Sequence, residues 1–186
     1  MNQFDTIPET ALTWFQDGKG AALATVVETW GSAPRRVGAQ LAINGDGQIE
    51  GSVSGGCVEG AVIVEALEAM EAGEHRMLEF GVSDEDAFAV GLACGGTIRV
   101  LVEPVGEAMP AQLLEELVAA RAAREPVSYE IDLVNGTRRL LHESYQEEVR
   151  MDRSGFVDAD VFLAVHNPPL RLIVVGAVHI AQALVP

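Results

Sequence analysis

At 186 residues, with 48% hydrophobic side chains and a formal net charge of -16, the chain has enough apolar material for one folded domain or two small ones. That charge, from 28 acidic and 12 basic residues, excludes general binding to nucleic acid or an anionic membrane. No apolar stretch reaches the roughly 18 residues of a membrane span. Met1-Asn2-Gln3-Phe4-Asp5 is not a basic-then-apolar signal either, so a cytoplasmic protein is expected.

Thr6-Ile7-Pro8-Glu9 opens a helix, with Thr6 as cap, Glu9 placed as in a capping box and Pro8 in the first turn, where its missing N–H costs little; Gly18 ends it. Residues 21–29 read as a buried strand, and 40–43 with 48–53 as a hairpin around Asn44-Gly45-Asp46-Gly47. Between them Gly31-Ser32-Ala33-Pro34-Arg35-Arg36 is a loop. A helix follows over 58–72, with Gly73 as its stop. A strand over 97–103 ends at Pro104, and a second helix over 110–124 carries arginines in its last turns, as the helix dipole favours. Two strands flank Asn135-Gly136, and 143–160 are polar and irregular by pattern. Val161 to Val165 and the break Asn167-Pro168-Pro169 lead to an apolar strand over 171–175 and a glycine turn at Gly176.

The chain has two cysteines, in near mirror-image settings, Gly55-Gly56-Cys57 and Cys94-Gly95-Gly96, each at a junction between predicted elements. Glycine pairs allow φ > 0 and close approach of a guest to the backbone. A reducing compartment disfavours a lasting disulfide, which leaves burial or thiol chemistry as alternatives. Cys57 directly precedes a predicted helix, whose N-terminus stabilises an anion, and is the better candidate thiolate. The same turn, Ser52 to Val58, would present backbone N–H groups to phosphate-like oxygens, with Arg35 and Arg36 in the neighbouring loop supplying guanidinium groups. Glu59 could orient a pterin-like or amide donor, or serve as an exposed first-turn carboxylate complementing the dipole. His75, His142, His166 and His179 form no spaced zinc motif, and Ser54 is not in a nucleophile elbow.

Gly31-Ser32-Ala33-Pro34-Arg35 with Gly38-Ala39, then Gly51-Ser52-Val53-Ser54-Gly55-Gly56-Cys57-Val58-Glu59, then Cys94-Gly95-Gly96 with Val102-Glu103-Pro104, resemble in order the motifs of the XdhC/CoxI family of xanthine dehydrogenase accessory proteins. The resemblance implies a molybdenum cofactor (molybdopterin) chaperone rather than a catalyst. Such a protein binds and protects the cofactor, helps its sulfuration with a cysteine desulfurase, and delivers it to an apo xanthine dehydrogenase-type molybdoenzyme, usually as a homodimer. By motif position Cys57 would bind the cofactor and meet its molybdenum, with Cys94 opposite. Arg35 and the turn containing Ser52, Ser54, Gly55 and Gly56 would face the pterin phosphate, and Glu59, Gly95 and Gly96 would complete the site. A soft thiolate suits that guest.

The implied fold is α/β or α+β: a mixed sheet with flanking helices over 1–106, a helix, hairpin and linker over 107–169, and the first strand and turn of an incomplete Rossmann-like domain over 170–186. In that last segment Val178 stands where the family's turn has a second glycine, at the backbone's approach to pyrophosphate, which argues against NAD(P) binding by this chain. Two other readings stay open. One is a thiol-dependent redox enzyme using a Cys57/Cys94 pair, NAD(P)-linked in a longer form, which requires Cα atoms within about 7 Å. The other is a structural interaction module with both thiols buried.

Overall fold

A computed structural model describes residues 6–81 and 96–169. Helix α1 (Ile7–Gln16) carries Pro8 in its first turn and begins at Thr6, whose side chain makes no capping bond. Glu9 instead reaches Arg121 Nε at 2.7 Å. Strand β1 (Ala21–Trp30) is the centre of a five-stranded sheet with β2 (Gln40–Asn44), β3 (Ile49–Gly51), β4 (Arg76–Phe80) and β5 (Thr97–Pro104), in the order β3-β2-β1-β5-β4. Its strand pairings are antiparallel. The hairpin between β2 and β3 is set by Asn44, whose Oδ1 accepts the N–H groups of Asp46 and Gln48 at 3.0 and 2.9 Å.

Alternation along these strands sends side chains to two cores. Ala22, Ala24, Val26, Leu41, Ile43, Val100 and Val102 pack under α2 (Glu59–Ala72), through its Val62, Ala66 and Ala69. The helix ends at Gly73 in the left-handed conformation, φ 72°. Ala21, Leu23, Val27, Ala42 and Leu101 face the other way, into a core shared with α1, α3 (Ala111–Ala123) and a second sheet.

That second, antiparallel sheet comprises β6 (Val127–Asp132), β7 (Arg138–Leu141), β8 (Gly155–Phe156) and β9 (Val161–His166), in the order β7-β6-β9-β8. Tyr129, Ile131, Phe162 and Ala164 supply its core face. A short helix, α4 (Gln146–Arg150), and β8 lie in the stretch whose pattern is polar and irregular. One buried polar cluster joins the two sheets: Glu103 Oε1 on β5 accepts from Arg138 Nε (2.9 Å) on β7 and from the Tyr129 hydroxyl (3.3 Å) on β6.

Candidate functional site

The strand pairings bring two loops, the end of β4 and the start of β5 to one end of the first sheet. Trp30, the last residue of β1, pairs with Thr97, the first residue of β5; Thr25 pairs with Gln40 at the start of β2, and Leu41 with Gly51 at the end of β3. Phe80, which closes β4, pairs with Ile98. The loop after β1, the turn after β3 and the strand ends on either side of residues 82–95 therefore share that end. A bulge between Val26 and Glu28 re-aims the last residues of β1 there.

The turn between β3 and α2 is built around Glu59. Its Oε1 accepts from the Ser52 hydroxyl (2.7 Å) and from the N–H groups of Val53 (3.2 Å) and Ser54 (2.9 Å). Its Oε2 accepts from the Ser54 hydroxyl and from the Gly56 N–H, the latter at 2.9 Å. The remaining N–H groups are taken by serine oxygens: Gly55 donates to Ser52 Oγ at 2.8 Å, and Cys57 and Val58 both donate to Ser54 Oγ at 2.9 Å. The Ser52 N–H pairs with the Gln40 carbonyl at 3.0 Å. Every backbone N–H from Ser52 to Val58 is thus bonded inside the protein.

This geometry corrects two expectations. The turn does not hold its N–H groups out toward a phosphate, because the Glu59 carboxylate, the two serine hydroxyl oxygens and the Gln40 carbonyl already take them. Nor is Glu59 an exposed first-turn carboxylate, since it is only 7% exposed. Burial pushes its carboxyl up, but the hydrogen bonds from Ser54 and Ser52 outweigh that and hold it at about 2. The pair of hydroxyls at Ser52 and Ser54, followed by an acid at the first helical position, is the signal that could have revealed this arrangement.

Cys57 is exposed, two residues before α2 begins, and so is not a buried structural thiol. Gly56 beside it has φ 107°, which disfavours other residues, and open space where a Cβ would stand. Arg35 is exposed and docks on the turn through Nε to the Ser52 carbonyl at 3.2 Å, while Pro34 lies 3.7 Å from the Cβ position of Gly55. Arg36 turns to Asp152, 3.1 Å away in the second half of the chain. Gly96, at the start of β5, packs so closely on the same loop that a Cβ would lie 2.6 Å from the Ser32 carbonyl and 2.8 Å from that of Trp30. The structure therefore brings together Arg35, Ser52, Ser54, Gly55, Gly56, Cys57 and Glu59, and ties Gly96 to the same loop. Cys94, Gly95, Gly176, Val178 and His179 lie outside the described residues. Among the described residues no group of three His, Cys, Asp or Glu is placed to hold a metal ion, and no helix is long and apolar enough to cross a membrane.

Residues 14–81, which run from α1 through β4 and include both the Arg35 loop and the Cys57 turn, match the XdhC and CoxI family. Over that segment the chain is similar to the XdhC and CoxI family. It is similar to the molybdenum cofactor insertion chaperone PaoD of Escherichia coli (strain K12), 39% identical over 127 residues that make up 68% of this chain and 39% of PaoD. It is also similar to a probable xanthine dehydrogenase component of Bacillus subtilis (strain 168), 31% identical over 107 residues, covering 56% of this chain and 32% of that protein. The chain therefore spans well under half the length of either relative. A crystal structure of a xanthine dehydrogenase from Bacillus halodurans has the same fold, with a TM-score of 0.65 and 22% identity over 87% of this chain and 52% of that one. Within residues 14–81, the Arg35 loop and the glycine-rich Cys57 turn are what the strand register gathers at one sheet end.

Proposed function

We propose that this chain is the cofactor-binding part of a molybdenum cofactor insertion chaperone serving a xanthine dehydrogenase-type molybdoenzyme. The observation that carries the reading is an exposed thiol, Cys57, on a turn whose polar groups are internally satisfied, with the exposed Arg35 guanidinium docked against that turn. The cofactor is cargo. Cys57 meets its molybdenum-dithiolene end, and Arg35, held through Nε, offers its terminal guanidinium nitrogens to the pterin phosphate. Gly55 and Gly56 leave room for the ring system to approach. Cys94, Gly95 and Gly96 belong to the site by motif, while Ser52, Ser54 and Glu59 hold the turn. The protein sequesters the cofactor and passes it on without turnover chemistry, in partnership with a cysteine desulfurase and as a homodimer in the cytoplasm. Residues 1–106 form the binding domain, 107–169 extend it, and 170–186 begin a Rossmann-like domain. The similarity to PaoD, a chaperone of this kind by name, supports the reading.

The test is molybdenum and released pterin per chain, after anaerobic purification from a cofactor-producing host. Wild type should carry near-stoichiometric pterin, and Cys57→Ala and Cys94→Ala should lose most of it. Absence of pterin from all three after reconstitution with free cofactor would favour a thiol redox protein.

A further inference from the structure

A glycine-rich turn leading into a helix commonly serves as a phosphate cradle, because its unpaired N–H groups and the helix dipole converge on one point. Here that point is taken. The Glu59 carboxylate receives three backbone N–H groups and two hydroxyls, and it belongs to the first residue of α2. The donors come from both limbs of the turn: Ser52, Val53 and Ser54 on the strand side, Ser54 and Gly56 on the helix side. Without an anion there, two or more buried N–H groups would lack partners, at a cost that would open the turn.

We propose that Glu59 is a resident anion that fixes the Cys57 turn in its exposed shape and bars a guest's phosphate from the turn's backbone, making Glu59 the positioning residue of the site. This inference rests on the reading of Cys57 and Arg35 as the cofactor-facing groups. It also deepens that reading by excluding the turn from phosphate recognition. The guest's phosphate is left to Arg35, whose side chain is exposed and whose Nε bond to Ser52 places it on the rim of the same turn.

The role can be tested by emptying the position and refilling it. In Glu59→Ala the donors of Ser52, Val53, Ser54 and Gly56 surround a carboxylate-sized gap. Amide hydrogen exchange of residues 53–58 should rise about 10- to 100-fold, as expected for losing hydrogen bonds to a charged acceptor. Millimolar acetate or inorganic phosphate should restore protection in the variant and leave wild type unchanged. A contact that merely filled space would not be rescued by a small anion. If Glu59→Ala does not fold, Glu59→Gln decides. Its amide keeps one acceptor oxygen for the strand-side donors but turns an NH2 toward Gly56, so exchange should rise at Gly56 and not at Ser54. Protection retained in the variants, or wild-type amides that respond to phosphate, would overturn the inference. Exchange needs no bound cofactor, so a chain that carries no pterin yet shows the rescue would sink the functional reading and leave the resident-anion role standing.

Discussion

Glu59 in the glycine turn and Glu103 in the seam between the sheets are both buried, yet they are stabilised in opposite ways. Around Glu59 the partners are backbone N–H groups and serine hydroxyls, and the carboxyl is held at about 2. Around Glu103 burial dominates and pushes the carboxyl up, while Arg138 and the Tyr129 hydroxyl pull against it. The same desolvation pushes the Tyr129 phenol well above its ordinary value. Many short dipoles can surround a carboxylate completely, whereas a single guanidinium leaves a remainder: Arg138 Nη2 is buried without a hydrogen-bond partner. The turn thus uses its carboxylate to shape a surface loop, and the seam uses one to lock two sheets in register.

The largest effect is expected at the seam. Arg138→Ala strands Glu103 as an unpaired buried charge and should cost about 3–5 kcal/mol, read as a shift in urea midpoint. The double variant Glu103→Leu with Arg138→Met removes the charge as well as its partner and should recover most of that loss. A double variant no better than the single one would mean that the pair contributes through packing alone.

Next comes the turn. Glu59→Gln should cost about 2–3 kcal/mol at neutral pH, because bonds to a charged acceptor are worth more than neutral ones. The pH dependence separates the two carboxylates. A carboxyl depressed from 4.5 to about 2 contributes stability that is full above 4.5 and lost as pH falls toward 2. The gap between wild type and Glu59→Gln should therefore narrow over that window and stay constant above pH 5. A gap that persists at pH 2 would show that shape, not charge, holds the turn.

How much of this was legible in the sequence follows from which forces are local. The helix over α2 with its Gly73 stop, the hairpin at Asn44 and the end of β5 at Pro104 all depend on neighbours a few residues apart, and the structure has them where the local pattern places them. Strand β4 was not foreseen, because Arg76-Met77-Leu78-Glu79-Phe80 is short and gains its place only by pairing with β5. In the polar stretch, two-residue β8 likewise gains its place by pairing with β9, and α4 is a helix of only five residues, too short for a periodic pattern. The convergence of the loops is a matter of register between distant strands, which no local pattern encodes. Glu59 was misread because a first-turn acid is usually solvated, and only the fold back of Ser52 and Ser54 buries it.

A third buried titratable group gives a smaller effect of opposite origin. His166 on β9 is buried with Nε2 lacking a hydrogen-bond partner, and burial together with nearby Arg121 lowers it to about 3, against the opposing pull of Asp152. It stays neutral in the fold while the unfolded chain takes up a proton below about 6.5. Its contribution is therefore full above pH 6.5 and erodes as pH falls toward 3, by about 2 kcal/mol at pH 5. Urea midpoints at pH 7 and pH 5 should fall less in His166→Leu than in wild type. Equal falls would place the acid sensitivity elsewhere.

The smallest effect tests whether the two regions are independent. Arg36 of the site loop and Asp152 of the second half are joined by an ion pair at 3.1 Å, with side chains 78% and 47% exposed. Such a pair contributes less than about 1 kcal/mol. Asp152→Asn should leave the urea midpoint almost unchanged. It should also leave pterin content and the amide protection of residues 53–58 unchanged, because the loop is already held by Arg35 on the Ser52 carbonyl and by Gly96 against Ser32 and Trp30. If instead Asp152→Asn lowers protection in the turn without altering global stability, the second sheet reaches the site through this pair. The contrast between a self-contained turn and a locked seam would then give way to one coupled unit.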